Sequence, residues 1–136
     1  MGAASTRAVR HRAVFAAAAA AALALLQPAA AAEVIDIGWD AAGGFRRTLD
    51  IAPGKFAEVC GAQAAGQSVR WRFDASAPLT FNIHYHVGKE LRYPARNEQV
   101  DHLQGQLLAD SAQDYCWMWS NKGAAAVRLN LQLQSR

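Results

Sequence analysis

The chain has 136 residues, with 14 Lys and Arg against 11 Asp and Glu, and a formal net charge of +3. All the acidic residues follow residue 32 whereas three arginines precede it, so segment 33–136 has eleven of each sign and is neutral. A neutral segment without a basic cluster lacks the electrostatic pattern of a nucleic-acid binding protein. About a hundred residues form one domain with one core, which excludes multidomain enzymes and most cofactor-binding folds.

The first 32 residues are typical of a secretory signal peptide. Three arginines within 7–12 precede an uncharged apolar stretch at 13–26, and three alanines at 30–32 supply the small residues that a signal peptidase recognises. A membrane anchor is the alternative, but the apolar stretch is shorter than the roughly 20 residues needed to cross a bilayer. We predict cleavage before Glu33 and a periplasmic or secreted protein, residues 33–136, with no membrane span.

The remainder of the chain predicts an all-β fold of about eight short strands. Apolar and polar side chains alternate along the candidate strands, which is the period of a half-buried strand. In chain order the candidates are 34–37, 45–51, 69–73, 80–87, 91–93, 100–108, 115–119 and 127–133. Turn-forming residues separate them at 42–44, 53–54, 66, 77–78, 88–89 and 121–123. This spacing favours a single antiparallel β-sandwich, and the helical competitor at 62–65 is too short to form an element.

Two cysteines, Cys60 and Cys116, occur in the predicted exported segment. An oxidising compartment favours a disulfide between them, and two free thiols are the alternative. Their wide separation excludes a CxxC redox motif.

The order of three segments resembles the GOLD domain, the luminal β-sandwich of the p24 (emp24/gp25L) family: FAEVCGAQAAGQSVRWRFD, APLTFNIHYHVGKELRYP and DYCWMWSNKGAAAVRLNLQL. The similarity covers 46–134, and the matching positions are Cys60, Gly66, Gly88, Tyr115-Cys116-Trp117 and Asn121. The resemblance implies a Cys60–Cys116 disulfide and a sandwich that binds a protein or small ligand instead of catalysing a reaction. Cargo sorting is not implied. In p24 proteins it depends on a coiled coil, a membrane helix and a cytosolic tail that follow the GOLD domain, and the resemblance does not extend to these segments.

The histidines indicate a candidate metal site. His84 and His86 are two residues apart in a predicted strand, so they project from one face about 6.6 Å apart. With His102, on another predicted strand, they would supply three nitrogens for a copper or zinc ion. The alternative is a solvated pair, because polar residues are expected on the outer face of a half-buried strand.

The aromatic residues indicate a candidate ligand-binding surface. Tyr115, Trp117 and Trp119 lie on one side of their predicted strand and Cys116 on the other. If Cys116 and its disulfide face the core, the aromatic rings face outward and form a binding surface with the histidine pair. The alternative is that the aromatic rings belong to the core.

The sequence supports three hypotheses of function. The first is an exported, non-catalytic binding module that recognises an unknown protein or small ligand through a His/Trp face. This hypothesis requires no cofactor. The second is a periplasmic copper or zinc binding protein that uses the three histidines. The third is a small secreted metal-dependent enzyme, but GxSxG, HExxH and phosphate-loop motifs are all missing, so we expect no enzyme.

Overall fold

The computed structural model describes residues 1–2 and 33–136. The predicted signal peptide therefore falls almost entirely on residues that lie outside the described part of the chain. Within the described residues, no helix is long and apolar enough to cross a membrane.

Seven strands form one hydrogen-bonded sheet. They are β1 (Glu33–Asp36), β2 (Gly44–Ile51), β3 (Phe56–Gln63), β4 (Ser68–Val87), β5 (Glu90–Leu108), β6 (Gln113–Ser120) and β7 (Val127–Ser135). Their order in the sheet is β1-β3-β6-β4-β7-β2, and β5 pairs with β4. Neighbouring strands are antiparallel except for β1, which is parallel to β3. The predicted all-β fold is confirmed, with this parallel edge strand as a difference.

The long strands β4 and β5 each unite two strands that the sequence pattern separates. The predicted turn at 77–78 is wrong: β4 continues through it, and the β4–β5 register is irregular between Asp74 and Leu79. The first part of β4 pairs with β7 and its second part with β6, while β5 accompanies both parts. The sheet therefore has two halves that share β4 and β5, and it curls so that their inner faces meet.

The core lies between these two inner faces. Its aromatic centre contains Trp71, Phe73, Phe81 and Trp119, and the ring centroid of Phe81 lies 4.9 to 5.4 Å from those of the other three. Aliphatic side chains of β2 and β7 complete it, because alternate residues of both strands point inward. Trp71 is thus a core residue.

The strand β3 is absent from the set that the sequence predicts. Its buried positions are Ala57, Val59 and Gln63, of which only the first two are apolar and neither is large, so apolar alternation is weak there. The predicted turns are better specified, because four of their glycines adopt the positive φ that other residues disfavour. These glycines are Gly43, Gly54, Gly66 and Gly88, with φ between 60° and 83°.

The two halves of the sheet present outer faces of different composition. On the half that contains β1, β3 and β6, the outer side chains form what we call the histidine face: Val34, Glu58, Cys60, Asn82, His84, His86, Leu91, Tyr93, Cys116 and Met118. On the half that contains β2 and β7, seven of the outer side chains form what we call the arginine–glutamine face: Arg46, Arg70, Arg72, Gln104, Gln106, Gln132 and Gln134.

Candidate functional site

His84 lies at the centre of the histidine face because strand register places it beside the disulfide. Cys60 is opposite Cys116 in the β3–β6 pair, and Cys116 is opposite His84 in the β4–β6 pair. Directly opposite residues project to the same side of a sheet, so the two sulfurs and the imidazole form one row. Cys60 and Cys116 are joined in a disulfide, which confirms the predicted pairing.

The imidazole of His84 contacts an acceptor at each ring nitrogen. Its Nε2 lies 3.2 Å from Glu58 Oε1, and its Nδ1 lies 2.7 Å from Asn82 Oδ1. A neutral imidazole has one N–H and can donate to only one of them, so both acceptors together favour protonation. Burial is nevertheless the largest effect, and with repulsion from His86 it holds the pKa of His84 below its ordinary 6.5 despite the attraction of Glu58. His84 is therefore a neutral, buried polar group at pH 7.

Exposed side chains surround this buried histidine. The ring of His86 lies 5.6 Å from that of His84, and the ring of Tyr93 lies 6.1 Å from it. Leu91 is opposite His86 in the β4–β5 hairpin and therefore shares this face. Leu91 and Tyr93 are 42% and 40% exposed, and Val34 at the far end of the face is 64% exposed. The histidine face is thus amphipathic, with apolar side chains open to solvent around polar groups.

Leu91 and Tyr93 are residues that the sequence-based prediction of the site misses. The signal was present: a tight turn at 88–89 joins two predicted strands and pairs position 86 with position 91. A hairpin with this turn places both residues beside the histidine pair.

The predicted outward orientation of the aromatic residues is wrong. Tyr115, Trp117 and Trp119 are at most 1% exposed and belong to the core. The disulfide lies on the outer side of the sheet instead, where Cys116 is covered by its neighbours. No ligand on the surface can reach these three aromatic side chains, so the binding surface keeps the histidines but not the tryptophans.

The predicted three-histidine site is not assembled. His102 is opposite Asp74, on the side of the arginine–glutamine face, ten residues along β4 from His84 and about 30 Å of chain away. It is exposed, and its Nδ1 lies 2.6 Å from Asp101 Oδ1. Among residues 1–2 and 33–136, one group of three potential metal ligands does meet within 4.8 Å: Glu58, His84 and Cys116. Because Cys116 is oxidised in the disulfide, Glu58 and His84 are the donors of that group that remain.

The fold is similar to those of several exported bacterial proteins. The chain matches no protein-family model, and it matches no curated protein. The PliG periplasmic inhibitor of g-type lysozyme from Aeromonas hydrophila has a TM-score of 0.60 and 16% identity, with 79% of this chain and 100% of that chain covered. A mutant of the corresponding Escherichia coli inhibitor has a TM-score of 0.53 and 11% identity, with 78% and 100% covered.

A third similar structure comes from a different kind of protein. The pre-peptidase C-terminal domain of a Bacillus anthracis collagenase has a TM-score of 0.53 and 13% identity, with 77% of this chain and 96% of that chain covered. At such identities the similarity establishes the fold alone. A fold found in inhibitors and in a collagenase domain does not by itself identify a binding partner.

Proposed function

We propose that the protein is an exported, non-catalytic binding protein whose histidine face contacts a partner protein. The observation that carries this proposal is the exposure of Leu91 and Tyr93 beside the polar groups around His84. Exposed apolar side chains grouped on one face and bordered by polar ones are typical of protein-binding surfaces. Arg96, whose Cζ lies 4.4 Å from the Tyr93 ring centroid, holds that ring and adds a charge at the rim.

The structural neighbours and the sequence support the same class of function. PliG proteins are periplasmic inhibitors of g-type lysozyme, so a g-type lysozyme is the first partner to test. The predicted signal peptide supports export to the same compartment. The GOLD resemblance stays a prediction, and it also implies a binding sandwich in place of an enzyme.

Calorimetry of the purified protein with a g-type lysozyme, together with a cell-wall lysis assay, tests the proposal. We expect binding, and we expect Tyr93→Ala and Leu91→Ala each to weaken it about tenfold or more, as truncations near the centre of an interface do. Gln104→Ala is the control, because Gln104 is exposed on the arginine–glutamine face. A complex weakened by Gln104→Ala and unaffected by Tyr93→Ala would show that the histidine face is not the interface.

Metal binding is a second candidate function. It is supported by the contact of 3.2 Å between Glu58 Oε1 and His84 Nε2 and by the exposed His86 ring next to them, which together offer one oxygen and two nitrogen donors. Titration with Cu²⁺ and Zn²⁺ should then give micromolar or tighter binding that His84→Ala abolishes. His102→Ala is the control, because His102 lies on the other half of the sheet. An enzymatic function would require such an ion first.

A further inference from the structure

Strand register builds a regular array of polar side chains on the arginine–glutamine face. One row crosses β2, β7, β4 and β5 in the order Arg46, Gln132, Arg72, Gln104. The adjacent row reads Gly44, Gln134, Arg70, Gln106. With strands about 4.8 Å apart and residues i and i+2 about 6.6 Å apart, the backbone positions of the three arginines lie within roughly 12 Å of one another.

These two rows line a groove of about 800 Å³. Gly44 ends the second row without a side chain, and the Asp40 carboxylate occupies the place that a side chain would take, with its Oδ2 2.8 Å from the position of a Cβ. Asp40 lies at this end of the groove, where its Oδ1 accepts hydrogen bonds from the backbone N–H groups of Ala42 and Gly44 at 2.9 and 2.7 Å. The carboxylate of Asp40 therefore holds the turn before β2.

The guanidinium groups of this groove have no carboxylate partner. All the acidic residues of the protein lie beyond residue 32, so every possible partner is in the described part of the chain. The Arg–carboxylate ion pairs there are made by Arg92 and Arg128, not by the arginines of the groove. Three arginines and one aspartate line the groove, which makes it locally positive in a segment that is neutral as a whole.

Hydrogen bonds within the groove hold its polar side chains in place. Arg72 donates from Nε to Gln132 Oε1 at 2.7 Å, which fixes the guanidinium plane and leaves both terminal nitrogens for an acceptor. Gln134 donates from Nε2 to Ala42 O at 2.7 Å, and Gln106 donates from Nε2 to Ser68 Oγ at 2.6 Å. Both amides keep their Oε1 atoms as acceptors. The groove thus offers cationic donors for carboxylates and amide oxygens for hydroxyl groups.

We propose that this groove binds an acidic glycan, a chain of sugars that carries carboxylate groups. The large apolar side chains that are exposed among the described residues all lie outside the groove, whereas protein interfaces usually have an apolar centre. The spacing of the three guanidinium groups suits carboxylates on a polymer, and the glutamine amides suit its hydroxyl groups. The inference is independent of the proposed function, because it concerns the other half of the sheet.

Calorimetry of the purified protein with a hexamer of galacturonic acid at low salt tests this proposal. The fully methyl-esterified hexamer is the matched ligand, because it has the same sugars without the charges. We expect the acid to bind and the ester not to bind, and we expect Arg70→Gln and Arg72→Gln each to raise the Kd at least tenfold. Arg128→Gln is the matched protein control: Arg128 is exposed on the same half of the sheet but paired with Asp50, and its loss should leave the Kd unchanged.

Other outcomes would overturn the proposal. Equal binding of the ester would show that the carboxylates are not recognised. No binding at millimolar hexamer would show that the groove is not a site for this ligand. An equal loss in Arg128→Gln would indicate general attraction of charge, and tighter binding of a glutamate hexapeptide would indicate an acidic protein partner instead. Circular dichroism and thermal unfolding establish that the variants are folded. The Tyr93→Ala variant should bind the hexamer normally. Failure of the histidine-face proposal is therefore distinguishable from failure of the groove proposal.

Discussion

Gly105 is a position where a single methyl group should matter. It is opposite Trp71 in the β4–β5 pair, and a Cβ placed on it would lie 2.5 Å from Trp71 Cζ2. The indole ring is rigid and packed in the core, so Gly105→Ala must displace the ring or the strand. We expect a loss of about 1–3 kcal/mol in the free energy of unfolding, measured by urea denaturation.

The control for this variant is Gly38→Ala, because a Cβ on Gly38 would have no neighbour within 4 Å. Equal denaturation midpoints for the two variants would contradict the packing of Trp71 against Gly105.

His84 should make the stability of the protein depend on pH. Burial lowers its pKa below 6.5, so the unfolded chain binds this proton more readily than the folded chain does. The free energy of unfolding should therefore fall as the pH drops below about 6.5, and His84→Gln should remove this component. Glu58, Asn82, His86 and Tyr93 face the ring, and all of them are present in both proteins.

Denaturation curves at several pH values between about 5 and 7.5 measure this component as the difference between the protein and its His84→Gln variant. The same slope in both proteins would show that His84 titrates alike in the folded and unfolded chains.

The aromatic residues of β6 show what periodicity leaves open at the level of single residues. Alternation in 115–119 correctly separates Tyr115, Trp117 and Trp119 from Cys116 and Met118, but it does not show which set faces the core. The assumption that the disulfide is internal gives the wrong answer. The buried area decides the orientation: three large aromatic side chains gain more from burial than a cystine and a methionine do.

Among the elements, the β3–β6 pair should depend most on its covalent link. Cys60 and Cys116 are separated by 56 residues in sequence. Closing such a loop reduces the entropy of the unfolded chain and stabilises the fold by about 4 kcal/mol in the chain-entropy model. The double variant Cys60→Ser/Cys116→Ser should lose stability of that order in urea denaturation, and reduction of the unmodified protein by a dithiol should have the same effect. A loss below about 1 kcal/mol would mean that residual structure already holds the two strands together in the unfolded chain.

The elements themselves are predictable to the extent that local sequence determines them. The hairpin at 88–89 and strands β2, β6 and β7 follow from alternation and turn residues. The division of β4 at 77–78 does not, because Ala77 and Pro78 are typical turn residues, and here the strand bends and continues with an irregular register. The strand β3 has only weak apolar alternation, and its hydrogen-bonded pairing with β6 stabilises it as a strand.

At the scale of the whole molecule, the continuous strands β4 and β5 decide which residues can cooperate. They carry His84 on one half of the sheet and His102 on the other. Two histidines that the sequence suggests for one metal site are therefore distant in space. The same division separates the apolar side chains of the histidine face from the arginines of the groove. Sequence patterns show that each strand has a polar side, but only the pairing of distant strands assembles those sides into two different surfaces.

The predicted cleavage of the signal peptide provides a test of the whole-chain organisation. Glu33 is the first residue of β1 and pairs with Ala57, so cleavage before it would leave the described sheet intact. Removal of the three preceding arginines should also shift the isoelectric point from about 9.2 to near neutrality. Intact mass measurement and isoelectric focusing of protein from the bacterial periplasm should therefore detect residues 33–136 as a neutral species. A 14.6 kDa product that focuses near pH 9 would show that the N-terminal segment is retained.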